Sequence, residues 1–181
     1  MKRLFVAIEL PKKLRETIEK ELIEPLNTVK KVPATNLHIT LCFLGDANEA
    51  GEKEILKRLS QIKFEPFQIL IGTIGQFDER VIWLSAEARE LYDLAEGVSK
   101  TLGTDSEFSG HITIARANDG TDFAKEFSKI KNKRVYQTLK VKNFALFESK
   151  LTPEGSVYSK VEDFPKNEEK ETLVKKAQKK K

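Results

Sequence analysis

Apolar residues in this 181-residue chain recur at two spacings, and the switches between them mark out its elements. Residues Arg3–Glu9 alternate and are rich in β-formers, which predicts a strand. Pro11 then stands at a helix start, and Leu14, Ile18 and Leu22 repeat at helical spacing. A second strand is expected over Asn36–Phe43, and a helix over Ala50–Ile62 with Ile55, Leu56 and Leu59 on one side. Phe67, Ile69 and Ile71 alternate as a strand, and Arg80–Ala86 makes another. Glu87–Leu102 is helical, with Leu91, Leu94, Ala95 and Val98 as its apolar stripe. After a Gly/Asp/Ser loop come a strand at His111–Ala115 and a helix marked by Phe123, Phe127 and Ile130. Two strands, around Leu139–Phe147 and Ser156–Val161, close the pattern about a turn at Pro153 and Gly155.

This order repeats. Each half reads as a strand, a helix, a His-Ile-Thr strand, a second helix and a strand pair. The two His-Ile-Thr stretches lie 73 residues apart, Phe77 and Phe147 70 apart, and Trp83 and Tyr158 75 apart. Two copies are too few for a solenoid, which needs at least ~3 stacked repeats. The expected fold class is therefore α+β, with two pseudo-symmetric lobes in one domain over residues 1–165 and a cleft between them. Residues 166–181 form a Lys-rich tail expected to fray.

Composition narrows the class. With 39% hydrophobic and 33% charged residues the chain can build a core and stay soluble. No apolar run approaches the ~20 residues of a membrane span, so no membrane association is expected. The first residues, MKRLFVAIEL, lack a long apolar stretch followed by a small-residue cleavage site, and no secretory signal is expected. The single cysteine, Cys42, suits a cytoplasmic location. A net charge of +4 invites a nucleic-acid reading. However, the tail holds seven lysines against three glutamates, so the body is formally neutral. Any RNA-binding surface on the body must be local.

The only two histidines share their neighbours: His38-Ile39-Thr40-Leu41 and His111-Ile112-Thr113-Ile114. Strand alternation places Leu37, Ile39, Leu41 and Phe43 on one face and His38 and Thr40 on the other. In the second strand Ile112 and Ile114 face the core, while His111 and Thr113 share the opposite face. One such histidine would be an ordinary polar residue on a solvated strand; a matched pair is better explained by chemistry. Imidazole titrates near ~6.5, so neutral and protonated forms are both available at cellular pH. One ring can take a proton from an attacking hydroxyl or water while the other gives one to a departing oxygen. Thr40 and Thr113 can donate hydrogen bonds to phosphoryl oxygens as charge builds. The expected chemistry is acid–base catalysis on a phosphate ester.

Competing chemistries fit poorly. One Cys and two separated histidines are too few for a zinc site, so neither a metal nor another cofactor is expected. There is no Gly-x-Ser-x-Gly elbow and no Walker-type glycine loop. Cys42 shares strand parity with His38 and Thr40, which would let it line the cleft, although a buried packing role suits a free Cys better.

At these residues the chain resembles the two-histidine phosphoesterase superfamily, in particular its RNA 2′,3′-cyclic phosphodiesterase (2′-5′ RNA ligase) branch. The likeness runs from RLFVAIELP through NLHITLCFLG and HITIAR to FALFESKLTPEGSVYSKV, which is nearly everything but the tail. One departure is Gly110, where that branch often has proline before the second histidine. The resemblance implies two lobes, each an antiparallel sheet backed by helices, around a metal-independent site. It further implies hydrolysis of RNA 2′,3′-cyclic phosphate ends to 2′-phosphates, with His38 as proton donor to the 3′ oxygen and His111 as base. Running the same steps backwards with an RNA 5′-hydroxyl would make a 2′-5′ linkage. Cleavage of another cyclic phosphate and a noncatalytic RNA-binding module are the alternatives. Arg116 matches the family's phosphate contact, but simple alternation puts it on the core-facing side, so it reaches the cleft only if the strand ends, twists or bulges. Ser156 and Tyr158 are further candidates to border the cleft. The expected partner is RNA, such as tRNA-derived ends, bound by a monomer.

Overall fold

The computed structural model describes residues 1–105, 107–153 and 155–165, so the Lys-rich tail lies outside the described residues. The strands are β1 (Lys2–Glu9), β2 (Lys30–Lys31), β3 (His38–Ala47), β4 (Phe67–Phe77), β5 (Val81–Glu87), β6 (His111–Arg116), β7 (Gln137–Val141), β8 (Phe144–Thr152) and β9 (Gly155–Phe164). The helices are α1 (Lys12–Ile18), α2 (Glu49–Leu59), α3 (Arg89–Leu102) and α4 (Phe123–Ser128). The fold is α+β, with two antiparallel sheets in the orders β3-β1-β8-β9 and β2-β6-β5-β4-β7.

The helices begin and end where local chemistry directs. Asn48 caps α2 by accepting from the Gly51 N–H at 2.8 Å, and Gly103 ends α3 in the left-handed region. A π-helical turn, Glu19–Ile23, prolongs α1 and keeps Leu22 in the core line begun by Leu14 and Ile18. One continuous core joins both sheets. Leu4, Val6 and Ile8 of β1 are buried in it with Ile39 and Leu41 of β3, Ile82 and Leu84 of β5, and Ile112 and Ile114 of β6. Each such side chain contributes roughly 1.5–3 kcal/mol of burial. The opposite face of β1 carries Phe5 and Ala7, which form a separate small cluster with Ala145 and Phe147.

Two features differ from the sequence expectation. First, Leu139–Phe147 is not one strand. It breaks at residues 142–143 into β7, which edges the second sheet, and β8, which lies beside β1 in the first. The lobes are therefore not the two halves of the sequence. In the first sheet β3 and β1 are followed by β8, while in the second β6 and β5 are followed by β4, so each half lends its last strands to the other lobe.

Second, both histidine strands bulge at the same place. Val6 faces Cys42 and Ala7 faces Thr40, so Leu41 is the extra residue of β3. Ile82 faces Ala115 and Trp83 faces Thr113, so Ile114 is the extra residue of β6. A bulge adds one residue to one side of a ladder and flips the alternation beyond it. Leu41 and Cys42 are consequently both buried, as are Ile114 and Ala115. Phe43, expected in the core, is instead 69% exposed and lies opposite Phe5 on the histidine face. Cys42 moves the other way, into the core, with its Sγ 3.2 Å from Thr104 Oγ1.

Gly110 precedes β6 at a point of close backbone approach. Its carbonyl accepts from the Ala86 N–H at 2.9 Å, and a Cβ built on it would stand 2.2 Å from the Ala86 carbonyl oxygen. Neither proline nor alanine fits there without displacing β5. Gly110→Ala is expected to lower stability by about 1–3 kcal/mol, the usual cost of overpacking. Urea unfolding followed by circular dichroism would show this as a lower midpoint at unchanged slope; an unchanged midpoint would mean the two segments part freely.

Candidate active site

β3 and β6 pack against each other at the junction of the two sheets, so their histidine faces open on one cleft. Each imidazole is oriented from behind in the same manner. His38 Nδ1 lies 2.6 Å from the Asn36 carbonyl oxygen, and His111 Nδ1 lies 2.8 Å from that of Ser109. A carbonyl oxygen only accepts, so Nδ1 carries the hydrogen in both rings and Nε2 is the atom left for chemistry. The parallel extends to the offset: in both cases the carbonyl belongs to the residue two before the histidine.

The pairs differ at Nε2. Thr40 Oγ1 lies 2.9 Å from His38 Nε2, where the hydroxyl donates to the neutral ring. Thr113 stands two residues after His111 on the same face, opposite Trp83. Arg116, which simple alternation assigns to the core side, is brought to the histidine side by the bulge at Ile114 and is exposed. Its counterpart five residues after His38 is Phe43. One side of the cleft thus presents a guanidinium where the other presents a phenyl ring.

Rings wall both imidazoles. Tyr158 meets His38 edge-on at 5.3 Å between centroids, and Phe77 meets His111 edge-on at 5.2 Å. Phe5 adds a third ring beside His38 at 5.1 Å. Phe77 is delivered by a hairpin whose three connecting residues, 78–80, hold Asp78 and Glu79 at positive φ, with the Arg80 N–H donating to the Phe77 carbonyl at 2.9 Å. Tyr158 is delivered by β9, and the β8–β9 hairpin is hooked to the base of β3 where Asn36 Nδ2 donates to the Ser156 carbonyl at 2.7 Å. A pocket bounded by Glu9, Thr35, His38, Tyr158 and Lys160 opens on this side, its far wall tied by a Lys160–Glu9 ion pair at 2.6 Å.

These surroundings set the protonation states. Burial pushes both imidazoles below the ordinary histidine value of 6.5, outweighing the carbonyl hydrogen bonds, which favour the charged ring. The positive charge of Arg116 pushes both in the same direction as burial, and for His38 so does His111. Arg116 is therefore within electrostatic reach of both rings. Among the described residues no group of three or more His, Cys, Asp or Glu side chains is arranged to hold a metal ion.

The cleft thus brings His38, Thr40, His111, Thr113 and Arg116 to one surface. Sequence reasoning missed Asn36, Phe5 and Phe77. Asn36 acts through its carbonyl, which its identity does not reveal. Phe77 carried a signal, since it ends a strand just before a Asp-Glu turn.

A model of the 2′-5′ RNA ligase superfamily matches residues 7–152. The RNA 2′,3′-cyclic phosphodiesterase of Archaeoglobus fulgidus is 34% identical over 174 residues, covering 90% of this chain and 99% of that protein. The protein of the same name from Thermus thermophilus is 32% identical over 188 residues, covering 90% and 89%. Among solved structures, E. coli LigT complexed with NADP+ superposes with a TM-score of 0.78 at 26% identity, covering 90% of this chain and 96% of LigT. TT0787 of Thermus thermophilus superposes at 0.75 with 30% identity, covering 90% and 96%. With the family's model spanning both histidine strands and the shared fold spanning both sheets, the chain belongs to the 2′-5′ RNA ligase superfamily.

Proposed function

We propose that this protein hydrolyses RNA 2′,3′-cyclic phosphate ends to 2′-phosphomonoesters by acid–base catalysis between His38 and His111, without a metal. The observation that carries the reading is the pair of imidazoles, each with Nδ1 held by a main-chain carbonyl so that Nε2 is the nitrogen left to exchange a proton. The names of the relatives supply the substrate class.

In the reaction, His111 Nε2 takes a proton from water as its oxygen attacks phosphorus. His38 Nε2 gives a proton to the 3′ oxygen as the P–O3′ bond breaks. Thr40, Thr113 and Arg116 hold the non-bridging oxygens, whose charge they match as it concentrates. The Thr40 hydroxyl also keeps His38 Nε2 in register until substrate arrives. Depressed basicity makes His111 neutral and ready as a base. It also makes His38 a strong acid once the anionic phosphate restores its proton. By reversal, an RNA 5′-hydroxyl in place of water would give a 2′-5′ bond, with acid and base exchanging roles. Ends produced by tRNA cleavage are a fitting source of substrate, acted on by a monomer in the cytoplasm. Among the described residues no helix is long and apolar enough to cross a membrane.

His38→Ala and His111→Ala are each expected to lower turnover of a 2′,3′-cyclic phosphate by about 10²–10⁴-fold. Wild-type turnover is expected to persist in EDTA and to yield a 2′-phosphate. Phosphorus NMR of the product reads regiochemistry and rate together; retained activity in either alanine variant would rule out the pair.

The pH dependence has a definite sign. Activity of the free enzyme needs one ring neutral and one protonated, so two depressed values place the kcat/KM bell on the acid side of 6.5. Arg116→Met removes a positive charge that disfavours both imidazolium forms. It is expected to lower kcat/KM and shift both limbs to higher pH. With two histidines in the chain, proton NMR titration follows each ring directly; a downward or absent shift would separate Arg116 from the pair.

A further inference from the structure

The histidine-bearing face of the second sheet continues past His111, and its side chains do not resemble an ordinary solvated strand face. β4 holds two glycines in its interior, Gly72 and Gly75, where glycine weakens a strand. Each is covered by a ring. A Cβ on Gly75 would lie 2.2 Å from the indole carbons of Trp83, and one on Gly72 would lie 2.9 Å from the Tyr136 ring. Both aromatics therefore rest on bare backbone instead of standing up from the sheet. Phe77 continues the row, 5.1 Å from Trp83 at an interplanar angle of 37°. Leu70, 51% exposed, sits on the same strand and face.

The row begins at the chemistry and leads away from it. Phe77 touches His111, and Trp83 lies directly opposite Thr113. Tyr136, the far end, stands just before β7 at the outer edge of the sheet and is 65% exposed. Large exposed apolar groups in one run mark a binding surface. The indole N–H of Trp83 is buried with no partner among the described residues, so the side chain is kept there for its ring and not for its hydrogen bond. The charges beside the row are Lys140 on the outer face of β7, Glu87 at the end of β5, and Arg89, which lines a pocket with Trp83 and Leu70. Recognition here rests on ring faces, the surface that unstacked bases of single-stranded RNA use.

We propose that the RNA strand leading up to the reacting phosphate runs across this face and stacks its bases on Phe77, Trp83 and Tyr136. The inference rests on the phosphodiesterase reading for its substrate but makes separate demands. It requires that kcat/KM rise with RNA length, and that the outer end of the row matter only to longer substrates.

The test compares a 2′,3′-cyclic mononucleotide with di-, tri- and pentanucleotides ending in the same cyclic nucleotide. Stacking contributes ~1–3 kcal/mol per base, so Tyr136→Ala is expected to lower kcat/KM on the pentanucleotide by about tenfold or more. The mononucleotide should be unaffected, and Tyr136→Phe should behave as wild type. Equal rates at every length in wild type, or equal losses on mono- and pentanucleotide, would overturn the proposal.

A binding arm separates this from the activity reading. Trp83 is the only tryptophan, so its fluorescence reports on the row itself. An unreactive single-stranded pentanucleotide should quench it saturably, about tenfold more weakly in Tyr136→Ala. Quenching without turnover of any cyclic phosphate would sink the activity and leave the track standing. Turnover without quenching or length dependence would sink the track alone. A concentration-dependent dimer in sedimentation, abolished by Tyr136→Ala, would assign the row to a second copy of this chain and overturn it as well.

Discussion

The extra residue at Leu41 in β3 and at Ile114 in β6 is the constraint from which the site follows. Each strand must bury aliphatics on one side and hold an imidazole and a hydroxyl on the other. Strict alternation would then send the residue five positions on back toward the core. The bulge reverses that assignment in both strands at once. It brings Arg116 to the histidine side of one lobe and Phe43 to the corresponding place in the other. The same local irregularity therefore yields opposite surfaces, cationic beside His111 and apolar beside His38. A symmetric scaffold acquires a polarity without any change of backbone plan.

Burial and charge then act together on the imidazoles. Their Nδ1 atoms are tied to main-chain carbonyls, which do not titrate, so orientation is independent of pH over the range in which the rings work. Their basicity is lowered by burial, with Tyr158 and Phe5 against His38 and Phe77 against His111, and by the guanidinium of Arg116, against the opposing pull of the same carbonyls.

Much of this was legible in the sequence. The His-Ile-Thr pairs, the β1 alternation and the α3 stripe of Leu91, Leu94, Ala95 and Val98 are local patterns, and local patterns survive folding. What the sequence concealed depends on a distant partner. The bulges exist because β1 and β5 offer one residue where β3 and β6 supply two, so Cys42 and Phe43 traded faces against expectation. The break at residues 142–143 separates β7 from β8 only because the two strands pair in different sheets, with β4 and with β1. Asn36 and Ser109 contribute carbonyls, which every residue owns. Flat rings on Gly72 and Gly75 became visible only once Tyr136 and Trp83 were placed.

The exchange of strands between lobes has a mechanical consequence. The chain passes from one sheet to the other four times: between β1 and β2, β2 and β3, β3 and β4, and β7 and β8. A clamshell closing about a hinge needs one or two flexible crossings; here four would have to bend in concert, against a core shared by both sheets. The distance between the two imidazoles is thus a property of the woven backbone and not of a closing motion. The two walls are held apart by the same crossings that join them, so their spacing is fixed when the chain folds.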